Sequence, residues 1–271
     1  MSARLEALMR DTDHGLFMPF LVAGDPDFET SLALAGALVE SGADILELGF
    51  PFSDPVADGP IIQAADARAL AAGTTPERAF ELLAALHARH DRPMVLLMYF
   101  NLILQYGVER FYARARDVGV DAVLVADLPI EMAGKVVAAA NAAGVAPVFI
   151  ASAVSTDARL ARVAEVGRGF VYTVAHLGVT GVRDEVDGGL DAVFARVART
   201  TRLPALAGFG ISTPQHVRRV VEAGAAGAIV GSALVRTIEE HPHDRDAALA
   251  AMYAAAAPLA EAAHNTTRKP C

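Results

Sequence analysis

Eight short apolar runs recur along the chain, at 17–22, 44–48, 94–98, 122–125, 146–150, 170–174, 205–207 and 226–230. Most are continuously apolar rather than alternating, which marks strands covered on both faces, as in a parallel sheet. The stretches between them carry helical spacing. Leu32, Ala35, Leu38 and Val39 form one stripe, and Val217, Val220 and Val221 form another. Leu249, Met252, Tyr253 and Ala256 place a third stripe on an extra helix at the C-terminal end. Residues 1–15 read as a short amphipathic helix with Leu5, Leu8 and Met9 on one side. Ser41-Gly42, Val118-Gly119, Ala143-Gly144 and Ala223-Gly224 each precede an apolar run, and glycine there suits a left-handed helix C-cap.

Eight βα units follow one another with no linker or composition break. A closed (βα)8 barrel needs about 250 residues, close to the 271 present. The expected fold is therefore α/β: one (βα)8-barrel domain over 1–264 with extra N-terminal and C-terminal helices. The polar 265–271 segment is expected to fray. A doubly wound open sheet is the alternative, but Ala23-Gly24-Asp25-Pro26 after the first strand is no dinucleotide fingerprint. In a barrel the chemistry sits in the loops at the C-terminal ends of the strands.

Charge narrows the partners. With 23 basic and 32 acidic residues the chain is at −9 and has no basic cluster, which argues against nucleic acid. A small anion stays possible, because backbone N–H groups alone can hold a phosphate. No apolar run is long enough for a membrane span, no basic segment precedes an apolar one at the start, and the single cysteine is Cys271. These features lead to the expectation of a cytoplasmic protein. His87 with His90, and His241 with His243, lack a third ligand, so no metal is expected.

At the strand ends, Glu47 shares a face with Ile45, opposite Leu46 and Leu48. A carboxyl inside a barrel needs a partner, a raised pKa or a ligand. It can be a general acid, or a structural group tied to backbone donors. Asp58 can accept a bond from a substrate N–H or can cap the helix opening at Pro60. Asp54 before Pro55 can make an Asx turn. Gly208-Phe209-Gly210 after strand seven and Gly231-Ser232 after strand eight offer close backbone approach and a helix N-terminus. A phosphate after these two strands recurs in barrels, whereas tight turns and a serine cap are the plainer reading. The sixth loop, 175–181, has the glycine content of a lid or of an ordinary flexible connection. Leu97, Leu124, Phe209 and the tyrosines Tyr99 and Tyr172 can line a pocket for a flat ring or simply pack the core.

Taken in order, these segments resemble the tryptophan synthase α-chain family. The motifs are Leu46-Glu47-Leu48-Gly49-Phe50-Pro51-Phe52-Ser53-Asp54-Pro55, Asp58-Gly59-Pro60-Ile61-Ile62-Gln63 and Met98-Tyr99-Phe100-Asn101. Ala126-Asp127-Leu128-Pro129, Gly178-Val179-Thr180-Gly181, Gly208-Phe209-Gly210-Ile211-Ser212 and Gly231-Ser232-Ala233 complete them. The resemblance implies a TIM-barrel lyase that cleaves indole-3-glycerol phosphate to indole and D-glyceraldehyde 3-phosphate. It implies Glu47 and Asp58 as catalytic carboxylates with Tyr172 near the reacting centre, and Gly181, Gly210, Gly231 and Ser232 around phosphate. Phe20, Leu97, Tyr99, Leu124 and Phe209 would surround the indole, and Asp54 and Thr180 would belong to the lid and its coupling to a β subunit. It further implies an α2β2 complex in tryptophan biosynthesis, with no cofactor in this chain and pyridoxal phosphate only in the β partner. His176 stands where the family often has an arginine that orders the closed lid. A stand-alone indole-forming lyase, a non-catalytic subunit that activates a β chain, and another phosphate-binding barrel enzyme such as an epimerase or isomerase are the competing readings.

Overall fold

The computed structural model describes residues 3–174, 190–208 and 210–269. Eight strands are found there: β1 Leu16–Val22, β2 Leu46–Gly49, β3 Met94–Met98, β4 Ala122–Val125, β5 Ala146–Ser152, β6 Val171–Val174, β7 Ala205–Gly208 and β8 Gly227–Val230. They close in sequence order into a parallel barrel, with β8 returning to pair with β1. The helices are α1 Ala3–Asp11, α2 Phe28–Glu40, α3 Pro60–Ala71, α4 Pro76–Arg89, α5 Phe100–Tyr106 and α6 Val108–Asp117. They continue with α7 Gly134–Ala143, α8 Asp157–Val166, α9 Leu190–Thr200, α10 Pro214–Ala223, α11 Ser232–Glu239 and α12 Arg245–His264. The β2–β3 and β3–β4 connections each hold two helices. Among the described residues no helix is long and apolar enough to cross a membrane.

Alternation along the strands builds two cores. Ile45, Val95, Leu124, Val148 and Leu206 point into the barrel, while Leu46, Leu48, Leu96 and Val123 pack outward against the helices. Both faces are dry, which is why the strands read as continuous apolar runs. Cα partners Phe20↔Glu47, Glu47↔Val95 and Val95↔Ala122 give the register around this side of the barrel. The four C-terminal glycines 42, 119, 144 and 224 all have positive φ, as their positions predict.

The N-terminal end of the barrel is closed by α1. Leu5 is fully buried in the interior cluster. Arg4 reaches Asp121 at 2.6 Å and the Gly119 carbonyl at 3.0 Å, tying α1 to the strand bottoms. Asp44 precedes β2 rather than opening it. Its Oδ2 accepts from the Phe17 N–H at 2.8 Å and lies 2.9 Å from His264 Nε2, at the end of α12.

Two expectations are corrected. Tyr253 does not belong to the buried stripe of α12: it is 49% exposed, and the stripe runs through Ala248, Met252, Ala256 and Leu259. Small alanines all round this helix leave periodicity unable to fix its face to better than one residue. Residues 265–269 are also not frayed. Thr267 bridges His14, and the Arg268 N–H donates to Asp13 O at 2.8 Å. The Arg268 guanidinium reaches the Met9 and Thr12 carbonyls at 3.0 Å each. A polar tail is thus held by the carbonyls that end α1.

Candidate active site

Glu47 stands on β2 with its side chain turned into the barrel. It is 1% exposed, and neither carboxyl oxygen has a hydrogen-bond partner among the described residues. The structural alternative, a carboxylate satisfied by backbone donors, is therefore not what is observed. Burial, reinforced by the charge of Asp58, raises its pKa to about 8. At neutral pH Glu47 holds a proton, as a general acid must.

Asp58 lies in the loop between β2 and α3. It does not cap α3: the N-cap is Gly59, without a side-chain bond, and Pro60 follows at the first helical position. Its Oδ2 instead accepts from the Tyr99 hydroxyl at 2.7 Å, and that hydroxyl accepts from the Ala57 N–H at 3.0 Å. The Tyr99 ring stacks on Phe52, centroids 5.1 Å apart. One phenol at the end of β3 therefore fixes an otherwise irregular loop and aims its carboxylate. Burial pushes the Asp58 pKa up, and the Tyr99 hydrogen bond opposes the rise. The two carboxyls thus differ in kind: Glu47 is dry and has no hydrogen-bond partner among the described residues, whereas Asp58 accepts the Tyr99 hydroxyl, a bond that favours its charged form.

A cavity of about 610 Å³ opens at the C-terminal ends of the strands. Glu47, Asp58 and Tyr172 line it together with the apolar Phe20, Leu97, Ile62, Ile211 and Ile229. Tyr172 is 9% exposed, and burial, then the nearby Glu47 and Asp58, keep its phenol protonated. The residue facing it on β7 has to be glycine. A Cβ on Gly208 would stand 2.5 Å from the Tyr172 hydroxyl.

Gly210, Ser212, Gly231, Ser232 and Arg236 line another part of the same cavity. Gly210 has φ +74°, a left-handed turn that L side chains rarely adopt. Ser232 does not cap α11. Gly231 occupies the N-cap without a side-chain bond, so no side-chain cap takes the N–H groups of Ser232 and Ala233, the two residues of the first turn that line the cavity. Free N–H groups and the positive end of a helix dipole favour an anion.

The structure thus gathers Glu47, Asp58, Tyr172, Phe20, Leu97, Gly210, Gly231 and Ser232 around one cavity. Tyr99 reaches it only through Asp58, and Leu124, 1% exposed, belongs to the barrel interior. Asp54 is exposed on the loop and accepts from Ser53 Oγ. Gly181, Thr180, Phe209 and His176 lie outside the described residues.

Sequence reasoning missed Ile62, Ile211, Ser212 and Arg236 as lining residues, and it missed Asp66 altogether. Asp66 is 4% exposed on α3, one oxygen lacks a partner among the described residues, and burial with the charge of Asp58 raises its pKa to about 7. The signal was available: Asp66 falls on the buried stripe Ile62, Ala65, Ala69 of an alanine-rich helix.

Comparison with known proteins agrees with the barrel fold. Residues 7–264 match the tryptophan synthase alpha chain family. A tryptophan synthase alpha chain from Shewanella oneidensis is 48% identical over 239 residues, covering 88% of this chain and 86% of its own. Among solved structures, tryptophan synthase subunit alpha from Legionella pneumophila superposes with a TM-score of 0.87 at 31% identity, covering 97% of this chain and 98% of its own. A tryptophan synthase complex from Pyrococcus furiosus gives a TM-score of 0.82 at 36% identity, with 91% and 98% covered. The closed eight-stranded parallel barrel is shared with these solved structures, and the chain belongs to the tryptophan synthase alpha chain family.

Proposed function

We propose that this chain is a carbon–carbon lyase that cleaves indole-3-glycerol phosphate to indole and D-glyceraldehyde 3-phosphate, as the α subunit of tryptophan synthase. Family membership supports the reaction. The observation that carries the roles is the contrast between the two carboxyls of one cavity: Glu47 is buried with its pKa raised to about 8, and Asp58 accepts a hydrogen bond from the Tyr99 hydroxyl.

Glu47 delivers its proton to indole C3, which turns the ring into a leaving group. Positive charge then develops at the ring nitrogen, and the Asp58 carboxylate, held by Tyr99, stabilises it. Glu47, now ionised, takes the proton from the neighbouring hydroxyl as the carbon–carbon bond breaks, and returns to its neutral form. Ionised Glu47 is uncomfortable in a dry site, which makes it a strong base at the moment a base is needed. The first N–H groups of α11, with Gly210 and Ser232, hold the phosphate and fix the substrate in register with the acids. Phe20, Leu97 and Ile229 give the indole an apolar wall.

A β partner fits the same face. Val56, Leu104, Met132 and Val154 are 83%, 51%, 74% and 82% exposed and follow β2, β3, β4 and β5 in turn. All four stand on connections that leave the C-terminal ends of the strands, the end at which the catalytic cavity opens. The Pyrococcus relative is a complex, and the arrangement we assign is α2β2, in the cytoplasm, with pyridoxal phosphate held by the β chain. We assign the coupling of the two subunits to Asp54, which is exposed on the loop that carries Asp58.

Indole release from indole-3-glycerol phosphate by this chain, beside Glu47→Gln and Asp58→Asn, tests the assignment. Slow release that both substitutions abolish and a β chain accelerates is expected. No release even with a β chain present would refute it, and fast release that a β chain leaves unchanged would make the chain a stand-alone lyase.

A further inference from the structure

A second cavity, about 530 Å³, lies at the opposite end of the barrel from the catalytic groups. Its walls come from α1, from the turns that precede β6 and β7, and from the tail after α12. Met9, Leu203 and Pro204 give it an apolar floor. Around that floor stand Arg168, Arg202, Arg268 and Lys269.

None of these four cations has an ion pair among the described residues. Arg168 donates to the Glu165 and Gly167 carbonyls at 3.0 and 2.7 Å, and Arg268 to those of Met9 and Thr12. Carbonyls at the ends of α8 and α1 thus fix two guanidinium groups in place without cancelling their charge. Arg202 and Lys269 are exposed beside them. Arg10 also lines the cavity but is paired with Asp11. Two acids, Glu6 and Asp13, line it too, so positive charge remains in excess, in a chain whose net charge is −9.

We infer that this cavity is a binding site for a small molecule with an apolar body and one anionic group, a carboxylate, sulfonate or phosphate. Its size lies within the usual range for small-molecule pockets, and an apolar floor with a few placed polar groups is their usual chemistry. The fixed arginines supply orientation, and the two exposed cations supply attraction. The N-terminal face of such barrels serves stability rather than catalysis. A ligand here joins α1 and the tail to the strand bottoms, so it stabilises the fold without entering the reaction.

The probe is 2-naphthoate, with neutral 2-naphthamide as its uncharged counterpart, measured by calorimetry and thermal unfolding on the full chain. One site is expected, unaffected by saturating glycerol phosphate, which competes only at the catalytic cavity. At about a hundredfold excess over its Kd the naphthoate raises Tm by about 5 °C. The amide binds far more weakly. Arg202→Gln with Lys269→Gln, both at exposed positions, leaves the unliganded Tm and indole release unchanged while weakening naphthoate about fivefold. Displacement by glycerol phosphate, equal binding of acid and amide, unchanged affinity in the double variant, or no binding at millimolar probe would each overturn the inference.

Discussion

Replacing Glu47 by glutamine separates what the residue does for the reaction from what it costs the fold. The carboxyl is buried with no hydrogen-bond partner among the described residues, and burial raises its pKa to about 8, against 4.5 for a free glutamate. The native state therefore keeps a proton that the unfolded chain releases between those two values. Stability contributed by this group is fully present below about pH 4.5 and is lost as pH rises through about 8. The slope is about 1.4 kcal/mol per pH unit, or roughly 5 kcal/mol over the whole window. Glutamine cannot ionise, so its advantage over the wild type grows along the same slope. Whatever constant cost its buried amide carries cancels when two pH values are compared. Urea unfolding of both proteins at about pH 5 and about pH 8 should show the stability difference moving in favour of Glu47→Gln by roughly 3–4 kcal/mol. The same substitution should lower indole release by about a hundredfold or more. Parallel stability curves across that range would mean that Glu47 is solvated or paired, and the acid role argued from its burial would fall with them.

Further outcomes follow from the same geometry. The rate of indole release should fall as pH rises past about 8, because the catalytic acid is then lost; a flat profile to pH 10 would contradict this. Tyr99→Phe removes a hydrogen bond to a charged carboxylate, about 1.5–3 kcal/mol, so kcat should drop at least tenfold. Its acid limb should also move to higher pH, because that bond holds the Asp58 pKa down; a change in KM alone would return Tyr99 to the role of an indole wall. Gly208→Ala drives a methyl into the Tyr172 ring and should cost about 1–3 kcal/mol in chemical unfolding, whereas a neutral result would show that Tyr172 can swing away freely. Met132→Asp with Val154→Asp should leave basal indole release unchanged and weaken capture of a β chain in a pull-down; undiminished capture would place the interface elsewhere.

Much of the architecture is legible in the chain because a parallel barrel buries both faces of each strand. Continuous apolar runs and glycine caps are local signals, and they located β3 and β4 to the residue. The face of α12 was misjudged because alanine packs in any direction, and its neighbours α2, α10, α11 and β1 choose among its sides. The tail was misjudged because polarity says nothing about carbonyls waiting at the end of a helix more than 250 residues away in sequence.

The same division holds for the site. Sequence by itself determined the candidates: Glu47 on an inward position of a strand, Asp58 in a proline-rich loop, and glycines after β7 and β8, in an order that marks the family. Tertiary structure decided their states. Whether Asp58 caps a helix or faces a cavity turned on one hydroxyl, that of Tyr99, 41 positions away. The raised pKa of Glu47 turned on its burial without a donor among the described residues, a property of closure that no neighbouring residue in sequence encodes. Spacing along a chain fixes which side chains share a face; charge state depends on water and partners, and only the folded barrel sets those.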